Sequence, residues 1–161
     1  MEKELKEKEY LAYINEHIAN VKTVYYNYRF QLCSNLVISA VELYNNILVH
    51  DDTKYSEEEF EGYRQWFYPC SDEERNKELF DKAWEHHYLN NPHHPEYWID
   101  RETNEPKDMP DIYIAEMLLD WAGMGIKFGD TAYEYYMKER DIKPFSENTK
   151  KKIDRVIKIF K

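Results

Sequence analysis

The chain has 161 residues, a length that fits one domain, and an apolar share of 42% that is enough to build a core. Its net charge of −10 argues against generic binding to duplex nucleic acid, because that binding depends on neutralising phosphates. No apolar run approaches the ~18 residues of a membrane span, and Cys33 and Cys70 form neither a CxxC motif nor a disulfide framework. We therefore expect a cytoplasmic protein with no membrane association and one domain over residues 1–161.

Scarce glycine and proline, four and six residues, favour helices. The first predicted helix runs from about Lys3 to Tyr28, where apolar residues recur every three or four positions and His17 falls on the apolar stripe. The second covers about residues 35–49. It is apolar on most sides, so we expect it to lie centrally.

Two capping-box patterns predict the next helix starts, at Ser56 and at Ser71. The helix opened by Ser71 carries His87 on the same face as Trp84, so His87 should point inward. A proline-rich stretch, residues 92–110, is predicted to be a loop.

Three helices are predicted in the last third of the chain, over residues 111–124, 131–140 and 147–160. Gly123 and Gly125 are expected to loosen the end of the first, and Asp130 and Ser146 to cap the other two. No alternating strand pattern persists anywhere. The sequence therefore predicts an all-α, compact single-domain helical bundle.

Residues with metal-binding chemistry are spread along these helices. His50 and Asp51 end an apolar stretch, His17 lies 33 residues before His50, and Asp120 lies 69 residues after Asp51 inside an apolar helix. Imidazole and carboxylate together suit borderline cations such as Zn, Mn, Fe and Co. Each residue alone has a plainer explanation: a partly buried histidine, a helix-end histidine followed by a turn aspartate, and a hydrogen-bonded buried carboxylate. Glu116, one turn before Asp120, could orient a ligand or activate water, but an exposed surface acid is the preferred interpretation.

The order of these residues resembles that of the HD-domain metal-dependent phosphohydrolases. Those proteins are all-helical, with a histidine on an early helix, a His-Asp dyad at the end of the next, and an aspartate on a later helix. The segment 48–54, Leu-Val-His-Asp-Asp-Thr-Lys, is also similar to the family's dyad segment, although many members have an apolar residue and a glycine at the positions of Asp52 and Thr53. The resemblance covers about residues 17–121 and places the core site within residues 10–128. The chain also looks close to a group of small bacterial and phage proteins with HD…K-[FY]-S and NPHH…YW segments, from which no activity carries over.

The resemblance implies one or two divalent metal ions, with Mn, Fe, Co, Zn and Mg as candidates. The ligands it implies for the main ion are His17, His50, Asp51 and Asp120. Some members bind a second ion through two histidines that lie between the dyad and the last aspartate. The histidines assigned to that ion are His87 and His94, with His86 and His93 as alternates. The plainer explanation of the histidine cluster is a polar surface loop packed by Trp98.

The implied function is hydrolysis of a nucleotide or another small phosphate ester through metal-activated water. Whether it would act as a phosphomonoesterase, a phosphodiesterase or a triphosphohydrolase stays open. Asp51 and Lys54 are the residues assigned to catalysis, Lys54 because an ammonium there would offset the charge of a phosphate. The aromatic residues expected to line a base pocket are Tyr55, Trp84, Tyr97 and Trp98.

The alternative is a non-catalytic binding protein, such as a phage- or bacteria-encoded inhibitor or a nucleotide-sequestering module, with a structural or vestigial metal site. An open metal position would favour the enzyme, since structural sites are closed by protein ligands. Other site classes lack their motifs: there is no Glu-x-x-His pair, HExxH, glycine-rich phosphate loop or GxSxG elbow. Homo-oligomerisation stays open.

Overall fold

The computed structural model describes residues 1–161, and its regular structure is helical, which confirms the all-α class. In chain order the α-helices are α1 (Glu2–Leu36), α2 (Ala40–Leu48), α3 (Phe60–Phe67), α4 (Lys77–Asn90), α5 (Asp111–Phe128), α6 (Ala132–Glu139) and α7 (Glu147–Val156). Short 3₁₀ helices cover Asp52–Tyr55, Pro95–Trp98 and Ile157–Phe160. The one extended pairing is an isolated bridge between Ile99 and Pro106. None of the helices combines the length and the apolarity needed to cross a membrane.

Helix α1 is longer than predicted. Its apolar stripe continues past Tyr28 through Leu32 and Leu36, which are both buried, so the helix is stabilised by packing to its end. Helix α2 accordingly begins later than predicted, at Ala40, where the Ser39 hydroxyl accepts a hydrogen bond from the Glu42 backbone N–H.

Val37 ends α1 in the left-handed backbone region, with φ 56° and 90% of its surface exposed. A β-branched side chain is strained there and gains no burial in return. Val37→Gly should therefore raise the free energy of unfolding by about 1 kcal/mol. Urea unfolding of the two proteins measures the change. Val41→Gly, at an exposed position inside α2, should instead destabilise, and a destabilised Val37→Gly protein would contradict the strain at Val37.

Both predicted capping boxes were wrong. Helix α3 begins only at Phe60, after a turn at Ser56 whose side chain caps no helix, and α4 begins at Lys77, capped by the Asn76 side chain. The Ser71 N–H and hydroxyl instead donate to the carboxylate of Glu2, at 2.8 and 2.9 Å. A long-range contact from the start of α1 thus replaces the local cap.

Of the predicted caps of the last two helices, one is wrong and one is confirmed. Thr131, not Asp130, caps α6, in a reciprocal capping box with Glu134. Ser146 caps α7 as predicted, because its hydroxyl accepts from the Thr149 N–H.

The prediction that Gly123 and Gly125 loosen the end of α5 is wrong, because α5 continues through them to Phe128. A methyl group at Gly123 would lie 2.7 Å from a Val21 side-chain carbon, so glycine lets α1 and α5 approach closely. Gly125 similarly admits the backbone oxygen of Asp130. The helix ends at Gly129, which is left-handed with φ 84°.

Two buried clusters meet along α1. A small one joins Tyr10 and Ile14 to α3 and α4, and a large one runs from Val21 through α2, α5, α6 and α7. His17 lies between Ile14 and Val21 on the same buried stripe. The junction of the two cores therefore holds a buried polar residue, and the candidate site is built around it.

Arg64 of α3 is fully buried and ties α3 to the following loop. Its guanidinium donates to Glu61 at 2.7 Å and to Glu73 at 2.6 and 2.8 Å. The hydrogen bonds from Arg64 and from the Cys70 backbone N–H lower the pKa of Glu73 to about 2. Because removing one carboxylate would leave a buried cation poorly compensated, loss of Glu73 should destabilise the fold.

Glu73→Gln should lower stability at pH 6 by about 1–2 kcal/mol, as for hydrogen bonds to charged groups. The folded-state pKa of Glu73 lies below the ordinary value of 4.5, so its contribution is complete above pH 4.5 and is lost as the pH falls toward 2. Urea unfolding at pH 6, 4 and 3 should show that the difference in free energy of unfolding between wild type and variant becomes smaller as the pH falls. Glu74→Gln, at the neighbouring exposed carboxylate, controls for the loss of one surface charge. A difference in free energy of unfolding that stays constant or grows as the pH falls would contradict a stabilising role of the Glu73 carboxylate.

Candidate metal centre

His50 and Asp51 lie in the turn after α2 and are both buried. Asp51 adopts the left-handed conformation, with φ 59°, which aspartate tolerates better than most residues. The 3₁₀ helix Asp52–Tyr55 follows at once. The chain thus reverses direction at the dyad and presents both side chains to the junction between the two cores.

The four residues predicted to hold the main ion converge there from α1, the dyad turn and α5. His17 Nε2 lies 3.2 Å from Asp51 Oδ2 and 3.1 Å from Asp120 Oδ1. His50 Nε2 lies 3.8 Å from each of the same two oxygens. His17, His50 and Asp120 thus place potential ligand atoms within 4.8 Å of one another, and Asp51 Oδ2 lies beside the two imidazoles. Whether the four residues bind a metal remains a prediction.

The chemistry of these atoms fits a divalent cation. Several buried atoms here have no hydrogen bond of good geometry, although carboxylate oxygens lie close to some of them: both ring nitrogens of His17, His50 Nε2, Asp51 Oδ1 and His93 Nε2. An unsatisfied buried polar group costs roughly 1–3 kcal/mol, so their clustering needs an explanation. A cation is one partner that could accept imidazole and carboxylate lone pairs at the same point.

A second set of possible ligands surrounds the other oxygen of Asp51. His87 Nε2 and His93 Nε2 lie 3.4 and 3.5 Å from Asp51 Oδ1, and His94 Nε2 lies 2.9 Å from His87 Nε2. The ligand atoms of these four residues are all within 4.8 Å of one another. The plainer explanation, a surface loop packed by Trp98, does not fit, because His87 and His93 are buried.

The choice among the four histidines needs one revision. His86 points away from the cluster, with its Nδ1 on Glu59 Oε1 at 2.8 Å. His93, considered only an alternate, is fully buried, and its ring lies 4.5 Å from that of His50, so it is placed at least as well as His94.

Two buried carboxylates orient the histidines from behind. Glu116 Oε1 lies 3.0 Å from His50 Nδ1 and 3.2 Å from His93 Nδ1, so the prediction of an exposed acid was wrong. Glu59, also buried, lies 2.8 Å from His87 Nδ1. A carboxylate that accepts the Nδ1 proton leaves Nε2 as the lone-pair donor, which is the usual arrangement behind metal-binding histidines.

Charges inside the cluster act strongly on one another. Burial opposes the ionisation of Asp51, yet the Lys54 ammonium and the His50 ring hold the pKa of its carboxyl well below the usual range. Burial also disfavours protonated His50, but the surrounding carboxylates, Asp51 first, raise its pKa to about 10. The acidic and basic groups of the cluster thus stabilise one another's charged forms, and the carboxylates around His50 favour positive charge there.

Glu116→Gln should weaken binding of a divalent metal by about 10- to 100-fold, the usual effect of losing a carboxylate behind a ligating histidine. Titration of metal-free protein with Mn²⁺ or Zn²⁺ by calorimetry measures the change. Glu105→Gln, which removes an exposed acid, is the matched control. Equal affinities for the two variants would show that Glu116 does not act through the histidines.

A cavity of about 570 Å³ opens onto this cluster. The predicted site residues that line it are Asp51, Lys54, His87, His94 and Asp120. Lys54 Nζ lies 2.6 Å from Asp51 Oδ2, so the ammonium group predicted to face a phosphate is at the floor of the cavity. The side chains of His17 and Asp51 are almost completely buried, whereas that of Asp120 is 12% exposed. The cluster is therefore open to the cavity on the side of Asp120.

The predicted aromatic lining was mostly wrong. Only Trp84 lines the cavity, whereas the Tyr55 hydroxyl donates to Asn15 and the Trp98 indole to the Pro92 carbonyl. Tyr97 does not line it either. The aromatic and apolar residues that form the walls with Trp84 are Tyr10, Tyr13, Tyr63, Phe67, Phe80, Trp121, Met124, Phe128 and Tyr135. They come from several helices, so nearness in sequence to the dyad did not identify them.

The model of one protein family, described as a family of unknown function (DUF5662), matches residues 6–159 of the chain. Comparison with curated proteins and with solved structures found no match. The family match spans every residue of the candidate site.

Proposed function

The chain belongs to DUF5662, a family of unknown function, and we propose that it is a metal-dependent phosphohydrolase related to the HD-domain enzymes. Its substrate would be a nucleotide or another small phosphate ester, attacked by metal-activated water. The observation that carries the proposal is the convergence of buried imidazole and carboxylate atoms at the floor of an open cavity, with Lys54 beside them.

The main ion would be held by His17, His50, Asp51 and Asp120. A second ion would share Asp51 and take its other ligands from His87, His93 and His94. A divalent ion of the Mn, Fe, Co, Zn or Mg group supplies Lewis acidity and an acidified water at neutral pH.

The protein's own residues would position the substrate. Lys54 would hold a non-bridging phosphate oxygen and offset its charge, since its ammonium already lies at the floor of the cavity. Glu116 and Glu59 would keep His50 and His87 in the correct tautomer. The aromatic walls would exclude bulk water and so strengthen these electrostatic interactions.

Elemental analysis and a phosphate-release assay test the proposal. Purified protein should contain a divalent metal. With Mn²⁺, Co²⁺ or Mg²⁺ it should hydrolyse at least one member of a panel of nucleoside mono-, di- and triphosphates and cyclic dinucleotides. If the protein binds one of these tightly yet releases no product with any metal, the enzymatic proposal is overturned and a sequestering protein is the better description. Absence of both binding and cleavage would point to a protein partner.

A further inference from the structure

We propose that the cavity selects a phosphomonoester that carries a single flat ring system, in preference to polar alkyl phosphates and to triphosphates. This inference rests on the proposed function, because it places the phosphate at the candidate metal centre. Hydrolysis would break the ester P–O bond, form a bond from the oxygen of water to phosphorus, and release the protonated alcohol or phenol and inorganic phosphate.

The rings of Trp84, Phe80 and Phe67 form one aromatic wall of the cavity, here called the aromatic platform, which begins beside the candidate ligands. The ring of Trp84 lies 5.0 Å from that of His94 and 5.9 Å from that of His87, measured between centroids. Trp84 is also held edge-on by Tyr88 at 5.6 Å. A ring joined to a phosphate at the metal centre would therefore lie within reach of the indole of Trp84.

The platform extends outward along α4 and α3. Phe80 lies one helical turn before Trp84 on α4, and both line the cavity. Phe80 stacks on Trp66 at 4.9 Å and meets Phe67 edge-on at 5.8 Å. Phe67 lines the same cavity and is 55% exposed, so it forms part of the mouth. An exposed apolar mouth over an aromatic wall fits the face of a flat group.

The charges of the lining argue against a long phosphate chain. Only two cations line the cavity, Lys54 and Lys143, and both already face carboxylates: Lys54 lies 2.6 Å from Asp51, and Lys143 lies 3.8 Å from Glu96. No arginine is present in the lining, although arginine is the usual bidentate partner of phosphate. Asp130 adds a further negative charge. One phosphate at the metal centre can be matched, but the walls offer little to the next two.

Equilibrium binding provides a test that does not depend on turnover. Mn²⁺-loaded protein should bind 1-naphthylphosphonate, whose P–C bond cannot be hydrolysed, at least about tenfold more tightly than methylphosphonate, in the range of base–aromatic stacking. Phe67→Ala and Trp84→Ala should each reduce this preference. Phe67 is largely exposed, so its variant should fold. Phe30→Ala, which removes a 70% exposed ring outside the cavity, should leave the preference unchanged.

Turnover provides the second arm and separates the two proposals. The values of kcat/KM for 1-naphthyl phosphate or for AMP should exceed those for glycerol 3-phosphate and ATP by about tenfold or more, and the better of the two identifies an aryl ester or a nucleoside monophosphate. Tight naphthylphosphonate binding without turnover by any metal form would support this inference and overturn the proposed function. Equal binding of the two phosphonates, or faster hydrolysis of ATP than of AMP and of 1-naphthyl phosphate, would overturn this inference even if the protein is a phosphohydrolase.

Discussion

Asp120→Ala should abolish turnover and reduce metal binding by more than about a hundredfold, because loss of a group that only supports a ligand already costs 10- to 100-fold. The Asp120 carboxylate lies 3.1 Å from His17 Nε2 and 3.8 Å from His50 Nε2, so its removal would take away one of the two carboxylates beside these Nε2 atoms. Metal content and phosphate release are the measurements. His50→Ala should behave in the same way.

The melting temperature supplies an independent readout. A metal that binds only the folded state stabilises it by mass action, so the wild type should lose melting temperature on chelation and the Asp120→Ala protein should not respond. Asp130→Asn is the matched control, since it removes a carboxylate from the same cavity without touching the cluster. If Asp120→Ala and His50→Ala both retain full metal content and the wild-type response to chelator, these residues are not the metal site.

The convergence of His17, His50, Asp51 and Asp120 was predictable because each position depends on local structure. Helical periodicity puts His17 on the buried stripe of α1 and Asp120 inside the most apolar helix, α5. The dyad follows the end of α2, where the chain must turn. Once the helices pack through their apolar faces, these polar residues are forced into the same interior.

The burial of the two carboxylates behind the cluster could not be predicted in the same way. Glu59 belongs to a run of glutamates whose pattern predicts a capping box, yet it is buried, with His86 and His87 of α4 against its carboxylate. Glu116 precedes Asp120 by one turn and is buried by contacts with α2 and the histidine loop. Burial of an acidic residue depends on partners from distant segments, which periodicity alone does not reveal.

The predicted starts of α3 and α4 were wrong for a related reason, because long-range contacts outweigh local caps. The patterns at Ser56 and Ser71 are favourable local caps, but Ser71 instead bonds to Glu2 at the start of α1. Cap signals are worth only about 1 kcal/mol, so tertiary contacts override them readily. The apolar stripe of α1, which sums many buried residues, was by contrast a reliable signal of the helix itself.

Lys54→Ala should keep its metal and lose roughly two to three orders of magnitude in rate. The Lys54 ammonium lies 2.6 Å from Asp51 Oδ2 at the floor of the cavity, where it can also face a phosphate oxygen. A preorganised electrostatic group of this kind contributes about 2–4 kcal/mol to the transition state. Its loss should not weaken the metal site, because Lys54 competes with a cation for the charge of Asp51, so metal affinity should be equal or higher in the variant.

The pattern across three variants separates this role from a structural one. Lys54→Arg should recover part of the rate, since the charge remains while the geometry changes. Lys143→Ala, which removes the other cation of the cavity, should cost less than about tenfold, because Lys143 faces Glu96 and not the cluster. Metal content, kcat and KM are measured for each variant beside the Asp120→Ala protein. A Lys54→Ala protein that loses its metal together with its activity would assign Lys54 to holding Asp51 in place, and one with the wild-type rate would remove it from the phosphate site.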